Sequence, residues 1–214
     1  QRPWPTSTRF AAPADPILAV PTELPAMAPG WDAAFQRAVD AARDAGMRIV
    51  PIDLTDFLAA ARLLYEGALV AERTEAVGDF IAAAGADAGL DPTVAAIIAA
   101  GGAHTATGLL RDRRELDRLR ERAFRALGEC DALLVPTAPL QPTLAEVAAD
   151  PVAINARIGT YTNFCNLFDM CGVAVPAGEV VESDGTTAQF GVTVLGRAFD
   201  DAVVADIAAR LGGG

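Results

Sequence analysis

Tyr65 and Arg73 stand eight residues apart in the run Leu63-Leu64-Tyr65-Glu66-Gly67-Ala68-Leu69-Val70-Ala71-Glu72-Arg73. On an unbroken helix eight residues turn through about 800°, leaving the two side chains within about 80° of one face and roughly 12 Å apart along the axis. A phenol and a guanidinium so placed can grip a small anionic or amide-bearing ligand, the guanidinium meeting a carboxylate with two parallel hydrogen bonds. The competing arrangement packs Tyr65 in the core and pairs Arg73 with Glu66 or Glu72. Gly67 costs a helix interior about 1 kcal/mol and marks either a break or a close approach.

A second cluster runs from Arg157 to Asp169, where Asn163, Asn166 and Asp169 recur every third residue beside Tyr161 and Thr162. Buried amides and hydroxyls must be hydrogen-bonded, so this segment reads as scaffold that fixes neighbouring loops, with direct ligand contact as the alternative. Cys165 lies inside it between Phe164 and Leu167. No histidine is placed by sequence to activate it, so a buried thiol is expected rather than a nucleophile. His104 follows a Gly101-Gly102-Ala103 turn ahead of a helix, where capping or plain exposure is expected. One histidine and no CxxC pair give no metal site, and no glycine-rich phosphate loop points to a cofactor. The chain has no lysine, and its serines are Ser7 and Ser183. It therefore carries a recognition surface with no nucleophile and base to use it, and no catalytic residue is assigned. With Gln1 at its start, the chain is expected to belong to a longer protein.

Composition narrows the classes further. The 214 residues fit one domain or a large piece of one, and 52% hydrophobic with 21% charged residues is ordinary for a folded protein. A net charge of −11 argues against nucleic acid, because phosphate neutralisation needs clustered cations. The one basic cluster, Arg111 to Arg125, is interleaved with Asp112, Glu115, Asp117 and Glu121 and reads as a solvated helix face. No run of about 18 apolar residues suggests a membrane span, and no apolar stretch near the start suggests a secretory signal. Three cysteines without close pairing fit reduced thiols in a cytoplasmic protein.

The elements that must position these residues follow from periodicity. Residues 1–16, with four prolines, read as an extended lead-in or linker. Ile17 to Val20 is a strand, Trp31 to Ala45 a helix closed by Gly46, and Met47 to Val50 a second strand, together a crossover unit of a parallel sheet. A helix capped by Asp53 or Thr55 is expected to run towards Ala84, broken by Gly85 and Gly89. Asp91-Pro92 starts a short helix and Thr105 to Leu127 forms the longest. Ala132 to Val135 is a strand, and Pro139 to Asp150 a polar connection. A helix at Thr160 to Met170 leads to strands at Val173 to Val175 and Phe190 to Leu195, the latter after an Asp184-Gly185 turn. Asp200 to Leu211 closes the chain, with Gly212 to Gly214 a frayed end. The expected fold is α/β, a mixed, largely parallel sheet flanked by helices.

The segments Leu63 to Arg73, Leu90-Asp91-Pro92 with Ile97-Ile98, Leu134 to Pro139, Arg157 to Pro176, and Gly191 to Leu195 with Asp200 resemble the later half of an amidase-signature enzyme. The run Gly159-Thr160-Tyr161-Thr162-Asn163-Phe164, with Asn166, Leu167 and Asp169, is its most specific part and is similar to the allophanate hydrolase branch. The resemblance implies that 17–214 form the C-terminal portion of an amidase-signature domain, acting in urea degradation on allophanate to give ammonia and carbon dioxide. It implies a serine–serine–lysine triad located in a preceding half that is absent here, Tyr65 and Arg73 as substrate-binding residues, and a homodimer. Ala68 and Leu69 depart from a common proline and tryptophan, and Asp91 from a usual histidine, which leaves the substrate open. The alternatives are a hydrolase of biuret or other amides, and a non-catalytic α/β binding or scaffold module.

Overall fold

Short apolar runs ending at proline become the inner strands, because proline supplies no ladder donor and stops the pairing. The structure, a computed structural model, describes residues 3–84 and 88–212. Strands β1 (Ile17–Pro21), β2 (Arg48–Ile52), β3 (Ala132–Pro136), β4 (Cys171–Val181) and β5 (Thr187–Gly196) form one sheet in the order β2-β1-β3-β5-β4. β1 lies parallel to both β2 and β3, while β5 runs antiparallel to β3 and β4. Four of these five strands therefore share one direction and β5 opposes them. The sheet is mixed and largely parallel, as the crossover pattern indicates.

Side chains alternate across the sheet and feed two cores. Leu18, Val20 and Leu134 point to the side covered by α1 (Trp31–Asp44) and α9 (Asp201–Gly212), meeting Trp31, Phe35, Val39, Val203 and Ile207. Ala19, Leu133 and Val135 point to the other side, towards α2 (Thr55–Glu66), α5 (Ala106–Leu127) and α8 (Phe164–Leu167). There Phe57 meets Phe164 and Phe168 edge to face at 5.0 and 5.7 Å. The result is helices on both faces of a sheet, each face burying its own apolar stripe.

Four elements differ from the periodicity. The helix expected from Asp53 or Thr55 towards Ala84 is two helices, α2 and α3 (Ala71–Ala83), separated by extended Gly67 and a 3-10 turn over Ala68–Val70. The connection at Pro139 to Asp150 holds a helix, α6 (Leu144–Ala149), and α7 (Pro151–Ile158) follows it directly. α6 starts with a capping box in which Thr143 and Glu146 satisfy each other's backbone N–H. Asp150 accepts the Ala153 N–H at 3.0 Å and Pro151 takes the first helical position of α7. The helix expected over Thr160 to Met170 shrinks to the single turn α8, because the helical stretch falls earlier, on α7. β4 also runs past Pro176 to Val181. As an edge strand it tolerates a proline whose nitrogen faces away from β5, and its pairing becomes irregular between Pro176 and Glu179, where Gly178 has φ 105°.

Short helix α4 (Pro92–Ala100) begins at Asp91, whose carboxylate accepts the Val94 N–H at 3.0 Å. Residues 3–16 lie against the body. Arg9 pairs with Asp131 and Asp200 at 2.5 and 3.0 Å, and the Ala12 N–H donates to Asp206 at 3.0 Å. Among the described residues no single helix is long and apolar enough to cross a membrane. The break expected at Gly85, and the end expected to fray at Gly213 and Gly214, lie outside the described residues.

Candidate substrate-binding cleft

Gly67 decides how Tyr65 and Arg73 meet. Its backbone is extended (φ −101°, ψ 174°), so α2 stops at Glu66 and the chain re-enters a helix at Ala71. Tyr65 thus sits in the last turn of α2 and Arg73 in the first turn of α3, on two helices rather than one continuous face. Both still line a single cleft of about 510 Å³. The far walls come from α4, with Val94 and Ile97, and from α6 and α7, with Val147 and Val152. Apolar walls with a few converging polar groups are the usual make-up of a small-molecule site.

The polar groups are Tyr65, Arg73, Asp91, Thr93, His104 and Asn155. Tyr65 is 41% exposed, which excludes the core packing open to it from sequence. Arg73 is exposed and, among the described residues, takes no ion-pair or hydrogen-bond partner. Glu72, one of its two expected partners, instead accepts from Arg113 at 2.6 Å. Asp91 spends one carboxylate oxygen on its helix cap, and the Asn155 amide donates to the Pro151 carbonyl at 2.7 Å. A carboxylate entering this cleft would find the Arg73 guanidinium with donors unspent among the described residues.

The second cluster lies beside the cleft. Asn163 and Thr160 line a smaller hollow of about 270 Å³ that shares Tyr65 with it. Tyr161 is fully buried, and its hydroxyl donates to the Pro25 carbonyl at 2.6 Å, tying this segment to the loop after β1. Burial pushes its phenol up to about 12. A Cβ on Gly159 would come within 2.1 Å of the Asn163 side chain, so a larger residue there would displace that amide. Asn166 and Asp169 are exposed and border neither hollow. Cys165 is partly buried, burial raises its thiol, and the Sγ donates to the Met170 carbonyl at 3.5 Å. Such a thiol is a poor source of thiolate.

Two cleft residues escape a reading by motif. His104, exposed after the 3-10 turn Gly101–Ala103, reaches the cleft only because that turn folds α4 back against α3. Nothing local to its sequence encodes that. Asn155 lies on α7, and its signal was available: Asp150-Pro151 repeats the cap-then-proline pattern of Asp91-Pro92.

The sequence model of the amidase family matches residues 7–204. The chain belongs to the amidase family. This amidase chain is 40% identical over 215 residues to the urea amidolyase of Lachancea kluyveri, an alignment covering 98% of the chain and 11% of that protein. The allophanate hydrolase of Kluyveromyces lactis superposes with a TM-score of 0.86 at 36% identity, covering 98% of this chain and 34% of that one. At 20% identity and a TM-score of 0.70, a glutamyl-tRNA(Gln) amidotransferase chain from Thermotoga maritima shares the fold, with 96% of this chain and 45% of that one superposed. The amidase chain thus spans about a tenth of the curated urea amidolyases it matches, at 11% and 9%, and about a third of the solved allophanate hydrolase.

Proposed function

We propose that this chain is the substrate-recognition portion of an amide hydrolase acting on a small carboxylated amide, with allophanate as the best-fitting substrate. Arg73 holds the substrate carboxylate through paired hydrogen bonds, and the Tyr65 hydroxyl orients the amide beside it. The observation that carries this reading is the shared cleft: an arginine without a partner among the described residues, facing the same cavity as an exposed tyrosine. The likeness to urea amidolyase and allophanate hydrolase supports the choice of substrate. A carboxylate is what separates allophanate from biuret, so the residue that binds it sets the specificity.

Amide hydrolysis also needs a nucleophile to attack the carbonyl carbon and a base to take its proton. The chain has no lysine, and neither Ser7 nor Ser183 lines the cleft. We therefore assign 17–214 to the C-terminal portion of an amidase domain, entered through the lead-in 1–16, with the serine–serine–lysine machinery supplied by a preceding half. Alone, this portion binds and does not turn over. A cytoplasmic setting agrees with three free cysteines, Cys130, Cys165 and Cys171. A homodimer of the complete protein belongs to the same proposal.

The test uses the complete amidase domain with allophanate and biuret side by side. Arg73→Ala should lower kcat/KM for allophanate by about 100-fold or more, since a charged partner is lost, while biuret turnover moves by less than about threefold. Equal losses on both substrates would show that Arg73 does not read the carboxylate.

A further inference from the structure

We propose that Asp112 is a positioning residue for this cleft: its carboxylate holds the chain break that places Tyr65 and Arg73 on one cavity. The proposal rests on the reading of the cleft as a carboxylated-amide site. Asp112 lies on α5 and reaches across to accept the Ala68 N–H at 2.7 Å. In a continuous helix that N–H would bond the Leu64 carbonyl, four residues back. The last bond of α2 instead runs from the Gly67 N–H to the Leu63 carbonyl at 3.2 Å. Ala68 is 4% exposed, so water does not satisfy its N–H, and a buried unpaired donor is strongly disfavoured.

Gly67 completes the device. A Cβ at this position would stand 2.9 Å from Asp112 Oδ2 and 2.7 Å from the Leu63 carbonyl oxygen. Its φ of −101° is open to any residue, so glycine is needed here for space and not for backbone freedom. The carboxylate and the bare α-carbon approach each other, and the break is fixed between them. α5 comes close at the same point, since a Cβ on Gly108 would lie 3.8 Å from the Ala68 Cβ. The neighbouring Arg113–Glu72 pair is exposed at 55% and 50%, and such pairs hold little. Asp112 follows Gly108 by one helical turn and acts three residues beyond Tyr65 and five before Arg73, at the joint between them. Without its acceptor, the Ala68 N–H recovers a partner only if the helix runs through, which turns Arg73 relative to Tyr65.

The experiment measures malonamate binding, the carbon isostere of allophanate, and allophanate kinetics in the complete protein. Asp112→Ala should weaken malonamate and raise KM by about tenfold, with kcat within about twofold. Asp112→Asn keeps a carbonyl oxygen to accept the N–H and should stay within about threefold of the parent on both measures. Gly67→Ala, which pushes on the same carboxylate, should match Asp112→Ala, and it decides the matter with Asp112→Asn if Asp112→Ala does not fold. An unchanged malonamate affinity in Asp112→Ala, with Arg73→Ala weakened, would overturn the positioning role and leave the cleft reading standing. A variant Asp112→Asn as poor as Asp112→Ala would show that charge and not the hydrogen bond acts, and also overturns it. If Arg73→Ala leaves malonamate binding unchanged, the cleft reading fails and the role of Asp112 falls with it.

Discussion

Arg73 keeps its guanidinium unpaired among the described residues although two glutamates, Glu66 and Glu72, are near neighbours in sequence. A bidentate contact depends on the planar fork, which an ammonium lacks. Arg73→Lys is therefore expected to recover only part of the allophanate activity lost in Arg73→Ala, a comparison that steady-state kinetics reads directly. Cys171 gives a residue-level prediction of another kind. Burial, with the carboxylates of Asp201 and Asp200 nearby, raises its thiol from 9.0 to about 11. A raised folded value means the stabilisation is complete below pH 9.0 and is lost as pH rises towards 11. Thermal melts of the parent should fall faster over that window than those of Cys171→Ala, and parallel curves would contradict the assignment.

At the scale of the element, the cleft depends on helices that begin and end where they do. Asp150 caps α7, which carries Asn155 and Val152 into the cleft. Asp150→Ala should cost about 1 kcal/mol in urea denaturation and weaken malonamate binding more than an equally destabilising change far from the cleft. The strands β1 and β3, the helix closed at Gly46 and the long α5 were legible because each is a clean period with a stop signal, whereas β2, expected to end at Val50, runs through Pro51 to Ile52. The eleven residues of β4 were only partly so, since Pro176 reads as an end unless the strand is known to lie at an edge. Gly67 signalled a break or a close approach, and the structure has both. Its partner Asp112 was not legible, because in sequence it is one acid among the charges of an exposed helix. Tyr65 and Arg73 could be picked out by type and spacing, but a single helix was the wrong scaffold for them. Long-range contacts, such as the 44 positions between Ala68 and Asp112, carry what periodicity cannot.

For the whole molecule, two cores back one sheet, and the candidate cleft lies on the helices outside it. Phe57 is fully buried against Phe164 and Phe168, so Phe57→Ala should cost about 3–5 kcal/mol, measured by urea denaturation. The lead-in is held at a different place. Asp206 is kept below its ordinary value of 3.8 by Arg210 and by the Ala12 N–H. A lowered folded value gives stability present above pH 3.8 and lost as pH falls beneath it. Protease cleavage within residues 3–16 should therefore quicken in acid, and the pH dependence should flatten in Asp206→Asn.

Ammonia release from allophanate, by this chain alone and by the complete amidase domain containing it, tests the central claim most directly. The account predicts no release from the chain alone, release from the complete domain, and loss of that release in Arg73→Ala. Turnover by the purified chain alone, or full activity in Arg73→Ala, would contradict it.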